Sequence, residues 1–232
     1  MKTIGIIGGM GPLATVHLFE RIVLRTKAEK DQDHIRVLID SNTNIPDRTK
    51  AILGDGENPV KELVNSAKIL ENSGADFLIM PCNTAHYFLD EIKKNISIPF
   101  INMPEESVKY TYEKYGKDAI VGIMATDGTI KTKIYEKYYA ELGIKTVVPI
   151  KTQEKIMKFI YDVIKKGNYD DAGTDLLFEC VNELKDLGAA AFLLGCTELS
   201  SAQYLYKFEG NFINPMEVLT ERAILFAGGQ LS

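Results

Sequence analysis

The fold of this chain is decided by residues 74–84, GADFLIMPCNT, because residues 188–198 repeat them as GAAAFLLGCTE. Each copy has a glycine, a short apolar run and a cysteine that is followed by small or polar residues. The apolar runs show no alternation of polar and apolar positions, which is typical of strands buried on both faces of a parallel sheet. The two copies lie 114 residues apart and predict the same strand and turn in each half of the chain.

Further segments recur in the same order, so the duplication extends beyond the cysteines. Residues 4–11, IGIIGGMG, correspond to residues 121–128, VGIMATDG, and the tripeptide Phe-Ile-Asn occurs at residues 100–102 and again at 212–214. A duplicated half indicates two similar α/β domains. We predict a first domain of residues 1–100 with 213–232, a second domain of residues 101–212, and crossovers at the Phe-Ile-Asn segments. The last helix is expected to pack on the first domain.

Alternation of strands and helices defines the fold class. The predicted strands are residues 4–7, 37–39, 77–80, 120–124, 147–148 and 191–194. Asn58-Pro59 and Asn214-Pro215 each predict a helix start, because an asparagine cap followed by proline is common there, and Gly74 predicts the end of the first helix. The prediction is an α/β protein with two pseudo-symmetric parallel-sheet domains and the active site in the cleft between them.

Composition and charge exclude several classes of protein. With 45% hydrophobic and 25% charged residues, the chain resembles folded globular proteins rather than disordered or collagen-like ones. Its net charge of −5 and scattered basic residues argue against a nucleic-acid partner. We see no membrane-spanning run and no signal-peptide pattern, and three cysteines do not make a disulfide scaffold. We therefore expect a cytoplasmic protein with no membrane partner.

Cys82 and Cys196 are candidate catalytic residues because each follows a predicted strand at its carboxyl end, where α/β folds place ligands. A thiol at a helix start lies near positive backbone N–H groups, which predicts a lowered pKa. Two thiols on opposite faces of one carbon would invert the configuration of that carbon, since one removes a proton as thiolate and the other returns a proton as thiol. Core packing is the alternative, and we assign it to Cys180, which lies in a leucine stripe of a predicted helix.

Six segments carry a wider pattern: GGMGP (8–12), SNTNIPDRT (41–49), PCNTAH (81–86), ATDGT (125–129), KKG (165–167) and GCTEL (195–199). In these segments the chain resembles the aspartate racemase branch of the aspartate/glutamate racemase family, and the resemblance covers nearly the whole chain. It implies a racemase that needs no cofactor, uses two catalytic cysteines and forms a homodimer. The motifs with Cys82 and Cys196 are both retained here.

Candidate substrate-binding residues accompany the cysteines. Arg48 lies in a predicted polar loop and has the planar fork that pairs with a carboxylate, although a solvated surface charge is the alternative. The resemblance supports Arg48 and suggests Lys165 as a partner for a distal carboxylate, with the adjacent Lys166 as the alternative. Asn83, Thr84 and Thr197 would offer donors to the α-carboxylate or cap helices. The remaining candidates are Met10 and Thr126 near the substrate, and Asp47 and Glu198 as orienting groups.

The three histidines, His17, His34 and His86, show no metal-ligand spacing with the cysteines, so we predict no metal site. His86 lies one helical turn after Cys82. We expect it either to influence that thiol or to belong to the core or the surface of the helix.

Three other functions remain open from the sequence. A nucleotide-dependent oxidoreductase would use the glycine-rich turn after the first strand, but the spacing GxxGGxG differs from GxGxxG. A non-catalytic amino-acid-binding module would use Arg48 equally well, and a decarboxylase or isomerase of a related diacid would keep the fold. The preferred prediction is racemisation of free aspartate, with glutamate or a wider range of amino acids as further substrates.

Overall fold

The computed structural model describes residues 1–169 and 171–232. They divide into two compact units, residues 1–106 with 216–232 and residues 107–215. The sequence predicts these divisions a few positions earlier, after residues 100 and 212. Each unit contains a parallel β-sheet with helices, which confirms the α/β class. In the described ranges, no helix combines the length and apolarity needed to cross a membrane.

The strands are β1 (Ile4–Gly8), β2 (Val37–Ser41), β3 (Phe77–Ile79), β4 (Ile120–Ala125), β5 (Lys145–Val147), β6 (Ala191–Gly195) and β7 (Phe212–Ile213). The α-helices are α1 (Pro12–Arg25), α2 (Arg48–Leu53), α3 (Val60–Asn72), α4 (Leu89–Lys93), α5 (Met103–Tyr115), α6 (Asp127–Thr132), α7 (Ile134–Glu141), α8 (Gln153–Lys158), α9 (Asp171–Asp186), α10 (Thr197–Tyr206) and α11 (Pro215–Phe226). Short 3-10 helices cover Asp31–Asp33 and Thr84–Phe88, and a π-helix covers Phe159–Ile164.

The sheet of the first unit has the order β2-β1-β3, and all its pairs are parallel. Both β1 and β3 are fully buried, as their continuous apolar sequences predict. The last helix, α11, packs on this unit. Its carboxylates pair with α1, where Arg21 Nε lies 2.6 Å from Glu217 Oε1, and the Phe226 ring meets Phe77 edge-on at 4.8 Å between centroids.

The sheet of the second unit has the order β5-β4-β6-β7 and is also parallel. Its central strands β4 and β6 pair over five residues, from Val121 opposite Ala191 to Ala125 opposite Gly195. The strand expected at residues 147–148 lies instead at Lys145–Val147. Cys180 lies fully buried in the apolar core of this unit, which confirms its packing role.

The Phe-Ile-Asn segments are not crossovers, and that prediction was wrong. Phe212–Ile213 forms β7 beside β6, and Phe100 makes an isolated parallel bridge with Leu78 of β3. Ile101 N donates to Leu78 O at 3.0 Å. A buried apolar dipeptide satisfies its backbone by joining a sheet edge, so the chain leaves each unit only after this pairing, at residues 106 and 215.

Helix starts follow the sequence closely. Helix α11 begins at Pro215, as predicted. Helix α3 begins at Val60, one residue after the expected Pro59, and the Asn58 side chain accepts a hydrogen bond from Val60 N at 3.0 Å. Gly74 ends this helix with φ +93°, a conformation that a glycine adopts without a steric penalty.

Glu183 holds the segment that leads into α8 in place through hydrogen bonds. Its carboxylate accepts hydrogen bonds from the backbone N–H groups of Ile150, Lys151 and Thr152 and from the Thr152 hydroxyl. Desolvation opposes the charged form, but these four hydrogen bonds prevail and lower the pKa of Glu183 to about 2. Helix α9 thus supplies an anionic cap for a neighbouring element of the same unit.

Replacing Glu183 by alanine is expected to lower the free energy of unfolding by about 1 to 3 kcal/mol, because several backbone donors lose their acceptor. Since the folded pKa lies below the ordinary value of 4.5, the stabilisation is present above that pH and is lost as the pH falls towards 2. Urea unfolding at pH 7 and pH 3 measures both effects. Glu179→Ala on the same helix, which removes an exposed pair with Lys155, is the matched control. Equal losses in both variants would show that the cap has no special role.

Candidate active site

Cys82 lies just beyond β3, ahead of the 3-10 helix Thr84–Phe88. The residue is 6% exposed, and its side chain packs in one apolar cluster with Met10 and Ile45. The turn that carries Met10 approaches its neighbour closely, since a Cβ on Gly9 would lie 2.4 Å from the Asn42 backbone. Glycine at this position therefore lets the turn after β1 and the loop after β2 meet near Cys82.

His86 fixes the backbone of Cys82 rather than its thiol. Its Nδ1 lies 2.8 Å from Cys82 O, and its Nε2 accepts a hydrogen bond from Met103 N at 3.4 Å. This pattern assigns the proton to Nδ1, which donates to the carbonyl oxygen. Burial lowers the pKa of His86 to about 4, so the ring is neutral at physiological pH. Of the options left open by the sequence, the structure shows a buried histidine that orients the cysteine-bearing segment.

Arg48 does not lie in a loop as we predicted, because it is the first residue of α2. Asp47, expected to orient substrate groups, instead caps this helix by accepting from Lys50 N at 2.9 Å. The Arg48 Nη1 donates to the carbonyl oxygens of Ile45 and Pro46 at 3.2 and 3.0 Å. These bonds hold the guanidinium against the segment whose Ile45 belongs to the Cys82 cluster.

Asn83 and Thr84 follow Cys82 directly and are both buried. Asn83 is at the cap position of the 3-10 helix, but its side chain makes no capping hydrogen bond. Thr126 is also buried and caps α6 by accepting from Thr129 N at 3.3 Å. Thr126 follows β4 as Cys196 follows β6, the neighbouring strand in the sheet. The residues that precede them, Ala125 and Gly195, are paired in that sheet.

Cys196 caps α10 and is 6% exposed, like Cys82. Its thiol donates a hydrogen bond to Glu198 Oε2 at 2.9 Å, and the Thr197 hydroxyl approaches the same oxygen at 3.4 Å. Burial, and then the negative charge of Glu198, raise the pKa of Cys196 well above its ordinary value, while Lys165 acts in the opposite direction. The lowered pKa expected at a helix start is therefore wrong for Cys196, because these two effects exceed that of the backbone N–H groups.

The structure distinguishes the two adjacent lysines. Lys165 Nζ lies 3.7 Å from Glu198 Oε1 and 4.4 Å from the centroid of the Tyr161 ring. Lys166 is exposed and pairs with Asp162 at 2.7 Å. The geometry brings Lys165, Glu198, Thr197 and Cys196 together in the second unit and leaves Lys166 at the surface.

Two neighbours of these residues were missed by sequence reasoning. Tyr161 lies under Lys165, and the spacing of four residues on one helical segment was a usable signal. Gln153 donates to Ala125 O at 3.0 Å and to Asp127 Oδ1 at 2.7 Å, which ties the start of α8 to the turn that carries Thr126. No sequence spacing indicated that second contact, because 26 residues separate Gln153 from Asp127.

A comparison with protein families identifies the family of the chain. The sequence profile described as Asp/Glu/hydantoin racemase matches residues 7–223. The chain belongs to this racemase family. It is therefore an isomerase that acts on amino acids. The match includes both cysteine segments, as the resemblance in the sequence predicted.

Individual relatives of this racemase differ in the substrates that their names record. The structure of the Picrophilus torridus aspartate racemase superposes with a TM-score of 0.87 and 32% identity, covering 100% of this chain and 96% of that one. The broad-specificity amino-acid racemase RacX of Bacillus subtilis is 28% identical over 202 residues, which span 85% of this chain and 86% of RacX. The Campylobacter jejuni glutamate racemase shares the fold, with a TM-score of 0.66 and 18% identity over 100% of this chain and 88% of that chain.

Proposed function

We propose that this protein racemises free aspartate without a cofactor, with Cys82 and Cys196 as a pair of acid and base catalysts. The observation that carries the proposal is a buried cysteine beyond the carboxyl end of the corresponding strand in each unit, β3 and β6. Equivalent placement of two thiols is what inversion by two bases requires. A single structural cysteine would have no reason to recur at the matching position.

In the proposed reaction one cysteine, as thiolate, removes the α-proton of the amino acid, and the other, as thiol, supplies a proton to the opposite face. The roles exchange for the other enantiomer. An amino-acid α-proton is weakly acidic, so the charge that develops on the α-carboxylate must be stabilised. We assign this to donors at Asn83, Thr84 and Thr197, with Met10 and Thr126 lining the substrate. All three cysteines are free thiols, and the mechanism requires a reducing compartment, for which we propose the cytoplasm.

Aspartate is the proposed substrate because the two cysteine segments each have a cation nearby, Arg48 in the first unit and Lys165 in the second. These cations would bind the carboxylates of an acidic amino acid. The name of the Picrophilus torridus relative supports aspartate, and that of the Bacillus subtilis relative supports a wider range of amino acids.

The proposal is tested by incubating dialysed protein with L-aspartate, L-glutamate and L-alanine and separating the enantiomers by chiral chromatography. We expect D-aspartate to form without added pyridoxal phosphate or metal, and to form faster than D-alanine. Formation of D-alanine alone would contradict the assignment of an acidic substrate, and inertness towards all three would contradict the proposed function.

We also propose a homodimer in which α1 of one copy contacts α1 of the second. Five apolar side chains on its outer face are exposed, namely Leu13, Val16, Phe19, Val23 and Leu24. Helical spacing places them on one stripe, and a monomer rarely exposes so continuous an apolar surface. An identical stripe on a second copy is self-complementary, as a twofold interface requires.

Val16→Glu with Leu24→Glu is expected to convert the dimer to a monomer, because a buried charge at each position opposes association. Sedimentation velocity measures the change. Ile69→Glu on α3, where the side chain is also exposed, is the matched control and should remain dimeric. A wild-type protein that sediments as a monomer at micromolar concentration would contradict the proposal.

A further inference from the structure

The environment of Cys196 differs from that of Cys82 in one chemical respect. The Cys196 thiol donates its hydrogen bond to a carboxylate, with 2.9 Å between Sγ and Glu198 Oε2. Cys82 instead has the neutral His86 on its backbone carbonyl oxygen. Cys196 and Glu198 are each only 6% exposed, so bulk water competes little with the hydrogen bond between them.

Loss of this proton to solvent would leave two negative charges in hydrogen-bond contact at a buried site. Burial, and then the negative charge of Glu198, raise the pKa of Cys196 well above its ordinary value. Transfer of the proton from Sγ to Oε2 avoids that cost, since the pair then keeps a single negative charge. The carboxylate is already placed as acceptor, so no movement of either side chain is needed before the transfer.

We propose that Glu198 is the proton acceptor for Cys196 and acts as a positioning residue that lets this thiol serve as a base. This inference rests on the proposed two-base racemisation. In the resting state both cysteines are thiols and Glu198 is a carboxylate. The Cys196 proton moves to Glu198, and the thiolate that remains takes the α-proton of the substrate and becomes a thiol again.

The opposite face of the substrate carbon receives the proton of Cys82, which becomes a thiolate. After product release Glu198 returns its proton to water and Cys82 takes one from water, so the resting state is restored with protons balanced. In the reverse direction the same states are passed in the opposite order: Cys82 loses its proton to water and Glu198 takes one, Cys82 removes the α-proton, Cys196 donates to the opposite face, and Glu198 returns its proton to Cys196. Glu198 therefore takes part in both directions of racemisation, whereas a reaction that needs only one base involves it only where Cys196 is that base.

Lys165 lies beside this pair. Its ammonium is 3.7 Å from Glu198 Oε1, so the lysine proposed above to bind the distal carboxylate of aspartate adjoins the carboxylate that accepts the Cys196 proton.

The test uses both α-enantiomers of 3-chloroaspartate. Removal of the α-proton by one base breaks the C–Cl bond, releases chloride and gives an enamine that hydrolyses to oxaloacetate and ammonia. Because this irreversible reaction needs one base, Cys82→Ser and Cys196→Ser identify which enantiomer depends on which cysteine. Glu198→Gln keeps an oxygen that accepts from the thiol but is a far weaker proton acceptor, and Glu179→Gln at the surface is the matched control.

We expect Glu198→Gln to slow chloride release from the Cys196-dependent enantiomer by about 10²-fold or more, and to change the Cys82-dependent rate by less than about threefold. The Cys196 S–H stretching band in the infrared spectrum, identified by its loss in Cys196→Ser, should move to higher frequency in Glu198→Gln. Equal loss for both enantiomers, no loss, or a faster Cys196-dependent reaction would overturn the inference. A wild type that eliminates neither enantiomer and does not racemise aspartate would instead contradict the proposed function.

Discussion

Racemisation of aspartate is expected to fall by at least about 10³-fold when either Cys82 or Cys196 is replaced by serine, because a serine hydroxyl is too weak an acid and base to replace a thiol. Each variant removes one of the two groups that must act on opposite faces of the substrate carbon. The residual activity should therefore be one-sided, with exchange of the α-proton surviving for one enantiomer in Cys82→Ser and for the other in Cys196→Ser. Polarimetry measures racemisation, and proton NMR in deuterated buffer measures exchange.

Cys180→Ala is the matched control for these variants. Cys180 lies in the core of the second unit, and burial raises the pKa of its thiol to about 12. We expect the control to keep full racemase activity with a modest loss of stability. Either serine variant that racemises aspartate at the wild-type rate would contradict the two-base scheme, and a large loss of activity in Cys180→Ala would show that the effects are not specific to the two proposed catalytic thiols.

The second large effect is expected for Lys165→Met. Methionine keeps most of the apolar stem of the side chain and removes the ammonium, which lies against Glu198 and over the Tyr161 ring. We expect kcat/KM for aspartate to fall by about 10 to 10²-fold, the effect of losing a hydrogen bond to a charged group. Steady-state kinetics with aspartate and alanine measure the loss and its dependence on the distal carboxylate.

Lys166→Met tests whether Lys166, rather than Lys165, binds the distal carboxylate. This lysine is exposed and pairs with Asp162 at 2.7 Å, so its replacement should leave kcat/KM for aspartate unchanged. A greater loss in Lys166→Met than in Lys165→Met would transfer the role to Lys166. An equal loss for aspartate and alanine in Lys165→Met would show that the ammonium does not recognise the distal carboxylate.

The strands, the duplication and the positions of the cysteines could be predicted because each is encoded locally. Continuous apolar runs ending at Cys82 and Cys196 have few alternatives to a buried parallel strand. The two-residue strand β7 was missed because Phe212–Ile213 is too short to show a period, and only its pairing with β6 makes it a strand. The start of α2 was missed because six residues capped by Asp47 carry little helical pattern.

The details of the site depend on contacts that sequence spacing does not determine. The choice between Lys165 and Lys166 follows from the π-helix, in which Lys165 N donates to Ile160 O, five residues back. A helix with the usual spacing of four would place the two lysines differently. The raised pKa of Cys196 likewise depends on the side-chain conformation of Glu198, which brings a carboxylate to 2.9 Å from the sulfur.

The central claim is that two thiols exchange the α-proton of aspartate with inversion and without a cofactor. Incubation of purified, dialysed protein with L-aspartate in deuterated buffer tests it most directly, with chiral chromatography and mass spectrometry as the readouts. We predict that D-aspartate formed in the first turnovers carries deuterium at the α-carbon. The hydrogen that the α-carbon gains comes from the thiol opposite the one that removed the original proton, and in deuterated buffer that thiol carries deuterium. D-aspartate that forms with the original α-hydrogen, or the absence of both D-aspartate and deuterium, would contradict the account.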